Sequence, residues 1–322
     1  MSVVPVVDLT PWRSGDRAGR RQVATDVDRA LCEVGFLQVT GHRVSAALVD
    51  CVREEARSFF AGPPATKAEV ACFPGGRGWV PPGTTAGAAG GPDLLAPDLT
   101  ESFGFGPEQV PPGLRGTAEE EWFGPNAWPA GTPCLRPAAT AFGDRCAVVA
   151  DELLRVLALA LDLDDDFFGP GSAAGAWHAG LHWYPARERI GSVAPGQMRI
   201  GPHTDGGTLT LTDREPGLGC LQVRALDGEW ADVPAVPGAL TVSVGDLLAR
   251  WTGDRWRSAP HRVLPPPVEL PTEELLSLRY THEPDPRTVV ERLPTAAAGP
   301  TRYEPVTAGR FRRDRTATVP VG

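Results

Sequence analysis

Apolar residues in the first half of the chain recur every three or four positions in three stretches, which is the spacing of amphipathic helices. We expect helices over residues 20–34, from Ser45 to about residue 60, and from about residue 137 to residue 161. Ser is one of the residues that favour a helix N-cap, so Ser45 marks the start of the second helix. Short apolar runs at residues 4–9 and 36–39 predict strands beside these helices.

The second half of the chain changes to alternation of apolar and polar residues, the pattern of strands with one buried face. Residues 208–212 read Thr-Leu-Thr-Leu-Thr, and residues 179–185 form another such run in which His182 and Tyr184 share one face. Leu275, Ser277, Arg279 and Thr281 likewise fall on one face of a later strand.

Composition and charge limit the possible partners. The chain has 322 residues, 42% of them hydrophobic, which is enough for a substantial core. Its formal net charge of -9 argues against a nucleic-acid or anionic-membrane surface, which would need clustered Lys and Arg. We therefore expect a small-molecule substrate, no nucleic-acid or membrane partner, and a monomer or weak homo-oligomer.

Neither a signal peptide nor a membrane span is recognisable in the sequence, so a soluble, cytoplasmic protein is expected.

The six cysteines are scattered without a C-x-x-C pair, which predicts reduced and mostly packed thiols. The acidic run at residues 164–166 is interpreted as a solvated turn, because consecutive side chains diverge.

The most specific chemistry lies in His203-Thr204-Asp205. In a strand, residues two positions apart share a face and lie roughly 7 Å apart, so both side chains can reach one metal ion. A lone H-x-D is a weak signal, because a three-letter pattern recurs by chance. His261 supplies a third candidate, and two imidazoles with one carboxylate form the facial triad of non-haem Fe(II) oxygenases, which leaves metal positions open for O2 and a chelating substrate. The three residues are thus predicted to be the metal ligands and the catalytic centre.

A series of motifs extends this pattern over nearly the whole chain. In order, they are Val4-Pro5-Val6-Val7-Asp8-Leu9, Asn126-x-Trp128-Pro129, Gly201-x-His203-x-Asp205-Gly-Gly-x-Leu-Thr-Leu, Gly219-Cys220-Leu221-Gln222-Val223, Gly228-Glu229-Trp230-x-Asp232-Val233-Pro234, Val244-Gly245-Asp246-Leu247-Leu248-x-Arg250-Trp251-Thr252, Arg257-Ser258-x-Pro260-His261-Arg262-Val263 and Arg302-Tyr303-x-Pro305-Val306-Thr307. The chain closely resembles the isopenicillin N synthase-like branch of the Fe(II)/2-oxoglutarate-dependent dioxygenases.

The resemblance implies a fold and an activity. The fold is mixed α/β and mainly β, with a double-stranded β-helix (jelly-roll) core and flanking helices, in a single domain over 1–322. Residues 1–170 would form a helical and loop support region and residues 171–322 the catalytic core. The implied enzyme is an oxidoreductase that uses Fe(II), O2 and 2-oxoglutarate as cosubstrate to oxidise an unactivated C–H of a small molecule by hydroxylation, desaturation or cyclisation, in specialised metabolism such as antibiotic biosynthesis.

The resemblance also implies roles for residues around the metal. Tyr184 matches a family tyrosine that hydrogen-bonds the cosubstrate, whereas His182 stands where the family usually has Asn and is interpreted as a polar neighbour of the site. Residues 62–116 are rich in Gly and Pro and show no periodicity, so loops are expected there. In the family this region forms part of the substrate mouth, which makes Trp79, Phe103 and Phe105 candidate substrate contacts, with ordinary packing as the alternative.

The chain departs from the family at the residue that anchors the cosubstrate by pairing with its far carboxylate. After the distal His the family carries Arg-x-Ser, whose Arg pairs with the far carboxylate of 2-oxoglutarate. An ungapped register places Leu275 and Ser277 at these positions, whereas a shift by four gives Arg279 and Thr281. Arg279 points inward under either register, and because a buried guanidinium needs an anion, we expect it to anchor the cosubstrate with Ser277 or Thr281 assisting. The alternatives are that Arg279 binds the substrate, or that it is solvated or paired with a protein carboxylate.

Two other functions fit the same pattern. A non-haem iron oxidase of this fold would need no 2-oxo acid, and a non-catalytic jelly-roll binding protein would have lost its chemistry. Loss of a metal ligand would mark the binding protein, and all three ligands are present in this sequence. The residues do not select among hydroxylation, desaturation and cyclisation.

Overall fold

The structure is a computed structural model that describes residues 4–72, 76–84, 96–169, 175–217, 221–265, 268–295 and 303–317. Its helices are α1 (Thr10–Arg13), α2 (Arg17–Glu33), α3 (Ala46–Phe60), α4 (Pro64–Ala68), α5 (Leu135–Ala160), α6 (Arg187–Ile190), α7 (Asp246–Trp251) and α8 (Ala308–Ala317), with a 3-10 helix over Ala118–Phe123. Its strands are β1 (Val6–Asp8), β2 (Phe36–Thr40), β3 (Gly78–Val80), β4 (Glu101–Phe105), β5 (His178–Tyr184), β6 (Ile200–His203), β7 (Leu209–Arg214), β8 (Leu221–Arg224), β9 (Trp230–Asp232), β10 (Leu240–Val244), β11 (His261–Val263), β12 (Leu275–His282), β13 (Val289–Val290) and β14 (Val306–Thr307).

Two sheets form the jelly roll. The larger has eight strands in the order β1-β2-β10-β7-β12-β5-β4-β3, and the smaller has four in the order β6-β11-β8-β9. A cavity is lined by residues from both sheets. The mixed α/β fold with a jelly-roll core, predicted from the sequence, is confirmed.

The helices of the first half cover the outer face of the larger sheet. The apolar stripe of α5 includes Leu153 and Leu157, both buried in a core cluster that also contains residues of α2, α3, β7 and β12. Fully burying a Leu side chain contributes about 1.5–3 kcal/mol, so the helices fix the sheet on one side and leave its other face to the cavity. The core cluster draws on both the region before residue 171 and the region after it, while the division of the domain at that residue stays a prediction.

The three long helices agree with their predicted positions to within a few residues, whereas the Gly- and Pro-rich region does not. Ser45 stands at the N-cap of α3, although its side chain makes no capping hydrogen bond. Within residues 62–116 the structure contains α4, β3 and β4, so the expectation of loops was wrong for these segments, and residues 85–95 lie outside the described part. Gly78 explains why β3 escaped notice: its φ is 148°, and a Cβ there would lie 2.3 Å from the Val70 carbonyl oxygen, so glycine interrupts the strand pattern.

Several side chains fill roles other than those expected. Trp79, Phe103 and Phe105 are buried in the main core cluster and do not line the cavity, which favours ordinary packing, the alternative to substrate contact. The rings of Phe103 and Phe105 both pack on Trp128. Of the cysteines in the described residues, Cys146 is buried but Cys51 and Cys134 are exposed, so the expectation of mostly packed thiols was wrong for these two.

The acidic run at residues 164–166 is exposed and lies in a turn, as predicted. Among the described residues, none of the helices combines the length and the apolar character that crossing a membrane requires.

Candidate metal centre

Three side chains converge where the smaller sheet meets the turn after β6. His203 ends β6, Asp205 follows in the turn, and His261 begins β11. Strands β6 and β11 are antiparallel, and their register places His261 opposite His203. One ligand atom from each of the three residues lies within 4.8 Å of the others, and the described residues contain no other such group of His, Cys, Asp or Glu.

Backbone carbonyls orient both imidazoles. The Nδ1 of His203 lies 2.8 Å from the Gly201 carbonyl oxygen, and the Nδ1 of His261 lies 3.2 Å from that of Ala259. A carbonyl only accepts, so each Nδ1 carries a hydrogen and each Nε2 is the nitrogen left to face a metal. The Nε2 of His261 lies 3.8 Å from Asp205 Oδ1. Burial, and next the charge of His261, lower the pKa of His203 to about 3, which keeps this imidazole neutral and able to bind a metal.

The carboxylate of Asp205 is buried and held from two sides. The Ser243 hydroxyl donates to Oδ2 at 2.8 Å, and Arg279 Nη2 donates to Oδ1 at 2.6 Å. Burial alone would raise the pKa of Asp205, but the positive charge of Arg279 is the largest of the effects that more than offset burial, so the pKa lies well below its ordinary value. Two imidazoles and one ionised carboxylate are the donor set that a non-haem Fe(II) site requires, so the residues present fit an iron ion.

The turn that carries Asp205 is held by α7 and α8. Thr204 Oγ1 donates to Asp246 Oδ2 at 3.0 Å, and the Asp246 N–H donates to the Asp205 carbonyl at 2.8 Å. Arg315 of α8 pairs with Asp246 and donates to the Thr204 carbonyl at 2.6 Å. These contacts tie Thr204, the residue between two of the candidate ligands, to α7 and α8 and so hold the turn that carries Asp205.

A cavity of about 60 Å³ opens beside this cluster. Its walls include His182 and Tyr184 of β5 and Ser277 and Arg279 of β12, all of which the alternation placed on inward faces. Thr281, the other hydroxyl considered for the cosubstrate, is buried, lies 3.4 Å from the Thr210 hydroxyl, and does not line the cavity.

The sequence analysis did not identify one row of side chains that lines the cavity. Thr210, Thr212 and Arg214 of β7 all line it, together with Thr241 and Ser243 of the neighbouring strand β10. The signal was available, because the alternation recognised at residues 208–212 continues by one step to residue 214.

Tyr184 and His182 present neutral polar groups to the cavity. Tyr184 hydrogen-bonds the Ser277 side chain, and burial raises its pKa although Ser277 and three arginines oppose the rise. The phenol therefore stays protonated and can donate. His182 is kept neutral because burial, followed by the charge of Arg279, lowers its pKa to about 3. Its Nδ1 has no hydrogen-bond partner among the described residues.

Two guanidinium groups line the same cavity and differ in their partners. Arg279 is paired with Asp205, a protein carboxylate, and its side chain is 32% exposed. Arg214 donates to Thr241 Oγ1 at 3.0 Å and to the carbonyls of Val233 at 2.7 Å and Pro234 at 3.2 Å. Leu275, which the ungapped register places at the family position of the anchoring arginine, pairs with Tyr184 across β12 and β5, and both are buried in one apolar cluster.

Comparison with known families and proteins agrees with this arrangement. Residues 4–131 match the model of the N-terminal region of non-haem dioxygenases in morphine synthesis, and residues 181–286 match the 2OG-Fe(II) oxygenase superfamily. The chain is 39% identical over 303 residues to validamycin A dioxygenase of Streptomyces hygroscopicus subsp. limoneus, covering 91% of this chain and 80% of the relative. It is 28% identical to a homoarginine-6-hydroxylase of Glycine max, covering 91% and 89% of the two chains.

A solved structure extends the similarity to three dimensions. The crystal structure of a full-length Neurospora crassa protein in complex with alpha-KG and thymine superposes with a TM-score of 0.84 at 27% identity, over 98% of this chain and 97% of that one.

Proposed function

Because the chain belongs to the 2OG-Fe(II) oxygenase superfamily and is a 2-oxoglutarate-dependent dioxygenase, we propose that His203, Asp205 and His261 hold its iron. The observation that carries this proposal is the orientation of the two imidazoles. Their Nδ1 atoms are occupied by backbone carbonyls, and their ligand atoms and a carboxylate oxygen lie within 4.8 Å of one another. Hydrogen-bonded imidazoles of this kind are typical of metal ligands, because the second nitrogen fixes the ring.

We further propose that the cavity beside the cluster takes the cosubstrate. Bound iron would supply oxidation of a C–H coupled to decarboxylation of 2-oxoglutarate to succinate. The phenol of Tyr184 stays protonated and donates to an oxygen of the cosubstrate, and Ser277 orients that phenol. Ser243 holds the Asp205 carboxylate, and the turn fixed by Asp246 and Arg315 keeps the ligand positions. Arg279 also faces the cavity, but its observed partner is Asp205, so its predicted role as the anchor stays a prediction.

The substrate is proposed to be a small polar molecule of specialised metabolism. The 39% identity to a validamycin A dioxygenase over most of both chains supports validamycin A, or a compound close to it, as the first candidate. Homoarginine and thymine are further candidates, because they are named for proteins that are 28% and 27% identical to this chain.

Two steps test the function. Anaerobic titration of the protein with Fe(II) and then 2-oxoglutarate should produce the visible metal-to-ligand charge-transfer band of the chelate. Succinate should then form with O2, and its rate should rise with the true substrate among validamycin A, homoarginine and thymine. Turnover of a substrate by wild-type protein without any 2-oxo acid would instead establish an oxidase.

A further inference from the structure

In the ungapped register, no cation occupies the family position that meets the far carboxylate of 2-oxoglutarate. Leu275 occupies that position in the ungapped register, and its side chain is buried beside Tyr184 among apolar residues. An ionised carboxylate taken out of water needs charged or hydrogen-bonding partners. The positive charge must therefore come from another part of the cavity, if the proposed function holds.

Three arginines lie close enough to Tyr184 to lower the pKa of its phenol: Arg199, Arg279 and Arg214. The first two already have acidic partners. Arg199 is fully buried, pairs with Glu273 at 3.4 Å and does not line the cavity. Arg279 donates to Asp205 Oδ1 at 2.6 Å. This contact places its guanidinium at the metal end of the cavity, because Oδ1 is also the oxygen that faces His261.

Arg214 differs because its three observed acceptors are all uncharged. They are one hydroxyl and two backbone carbonyls, at 2.7 to 3.2 Å. In the part of the chain that the structure describes, no carboxylate lies within ion-pairing distance of Arg214: its chain neighbours Asp213 and Glu215 instead pair with Arg53, which lies on α3. A guanidinium has five N–H donors in a planar fork, so those not used by these acceptors remain for an anion.

The position of Arg214 in the sheet also suits the far end of the cosubstrate. It pairs with Ser277 across β7 and β12, and Ser277 hydrogen-bonds Tyr184. Arg279 lies one inward position further along β12, opposite Thr212, toward Asp205. A dicarboxylate that chelates the metal through its 2-oxo acid end would direct its other carboxylate away from Asp205, toward Arg214, Ser277 and Tyr184.

We propose that Arg214 binds the distal carboxylate of 2-oxoglutarate, replacing from β7 the arginine that Leu275 has displaced on β12. This assignment rests on the proposed function and differs from the expectation that Arg279 is the anchor. Arg279 then acts at the metal end, through Asp205.

The test measures cosubstrate binding without turnover. Fe(II)-loaded protein is titrated anaerobically with 2-oxoglutarate and, separately, with 2-oxopentanoate. The second acid has a methyl group in place of the distal carboxylate. The charge-transfer absorbance reports the dissociation constant of each acid. In Arg214→Leu the affinity for 2-oxoglutarate should fall by about 10- to 150-fold, the range for hydrogen bonds to a charged group. The affinity for 2-oxopentanoate should stay within about twofold, because that ligand lacks the group that Arg214 binds.

Matched variants separate this role from a structural one. Arg279→Leu should keep the wild-type preference for 2-oxoglutarate over 2-oxopentanoate. Adding Leu275→Arg to Arg214→Leu should restore much of the preference, by returning the guanidinium to β12. Arg214→Gln gives the same measurement if Arg214→Leu does not fold, because its amide nitrogen falls near the position of Nε and can still donate to Thr241 Oγ1.

The outcomes are distinct. A wild-type protein that shows no charge-transfer band with either acid would defeat the proposed function itself. A normal band in wild type with an unchanged preference in both Arg214 variants would overturn the assignment of Arg214, and a lost preference in Arg279→Leu alone would move the anchor to Arg279.

Discussion

Arg279 donates a hydrogen bond of 2.6 Å to Oδ1 of Asp205, the carboxylate oxygen that also faces the Nε2 of His261 at 3.8 Å. A protein cation thus lies against the carboxylate proposed to bind iron. Asp205 is almost fully buried, with 1% of its side chain exposed, and an ionised carboxylate there requires a counter-charge. Arg279 supplies this charge in the metal-free protein, and a bound Fe(II) would share or take over the role.

Replacing Arg279 should therefore destabilise the metal-free protein more than the metal-loaded one. We expect Arg279→Leu to lower the free energy of unfolding of the metal-free protein by about 3 kcal/mol, because one partner of a buried ion pair is lost. Saturating Co(II), used as an oxygen-stable substitute for Fe(II), should recover most of this loss, and Arg279→Lys should show a smaller effect. Denaturant unfolding with and without Co(II) measures both quantities, and equal losses in the two states would contradict this account.

Removing a ligand should abolish both metal binding and turnover. His261→Ala leaves two of the three proposed ligands, and a facial triad has no spare donor. Anaerobic equilibrium dialysis should show less than stoichiometric Fe(II), and succinate formation should be lost. His42→Gln serves as the control, because His42 hydrogen-bonds the Gly238 carbonyl and lies outside the metal cluster. Stoichiometric iron in His261→Ala would show that the triad is assigned wrongly.

Ser243 is expected to matter through the orientation of Asp205. Its hydroxyl donates to Oδ2, so Ser243→Ala should weaken Fe(II) binding by about 10- to 100-fold, the range for groups that orient metal ligands. Thr210→Val is the matched control, since Thr210 pairs directly with Ser243 in the sheet but its hydroxyl meets Thr281. Competition with a chelator of known affinity measures the two constants, and equal effects in both variants would argue against an orienting role.

Tyr184 should affect the cosubstrate and not the metal. Tyr184→Phe keeps the ring and removes the hydroxyl, which should cost about 0.5–1.5 kcal/mol of 2-oxoglutarate binding, or more if the acceptor is charged. Tyr280→Phe removes a hydroxyl that has no partner among the described residues and lies in the core, so it should leave the affinity unchanged. Anaerobic titration of both variants with 2-oxoglutarate measures its dissociation constant. An unaltered dissociation constant in Tyr184→Phe would show that Tyr184 does not contact the cosubstrate.

Buried His282 should make the metal-free protein sensitive to acid. Burial lowers its folded pKa to about 4 from an ordinary 6.5, while Thr208 hydrogen-bonds its Nδ1 at 2.7 Å. Between these two values the unfolded chain binds a proton that the folded chain does not, so stability falls as the pH drops from about 6.5 towards 4. Each pKa unit corresponds to 1.36 kcal/mol, which gives a loss of about 2 to 3 kcal/mol for this residue.

The measurement compares urea unfolding of the metal-free protein at pH 7.5 and pH 4.5. His282→Asn lacks a group that titrates in this range and should show a smaller difference between the two pH values than wild type. His178 also has its pKa lowered to about 3 by burial and then by Arg312, so part of the acid sensitivity should remain in the variant. An identical pH dependence in wild type and His282→Asn would contradict the prediction.

The parts of the site that depend on local spacing were predictable from the sequence. His182 and Tyr184 alternate on one strand, so simple periodicity places this pair. His203 and Asp205 do converge as expected, but Asp205 lies in the turn after β6 and not in the strand that the spacing argument assumed. The jelly-roll fold followed from the resemblance of ordered motifs. The inward direction of Arg279 was predicted in the same way and is confirmed by its position in the cavity wall.

Two features could not be predicted because they depend on contacts between distant segments. The partner of Arg279 is fixed by the packing of β12 against the turn after β6, and alternation gives the direction of a side chain but not the atom that it meets. Strands β3 and β4 were missed because Gly78 and Gly104 lie within them, where close neighbouring carbonyls leave no room for a Cβ. Arg214, by contrast, was within reach of the alternation recognised at residues 208–212, which continues by one step to this residue.

The order of strands in the larger sheet gives the first half of the chain a protective role. Strand β2 covers the free edge of β10, and β4 covers the free edge of β5. Exposed edges carry unpaired N–H and C=O groups that recruit strands from other molecules. A fragment containing only residues 171–322 would present both edges to solvent, so we expect it to aggregate even though it carries every proposed iron ligand.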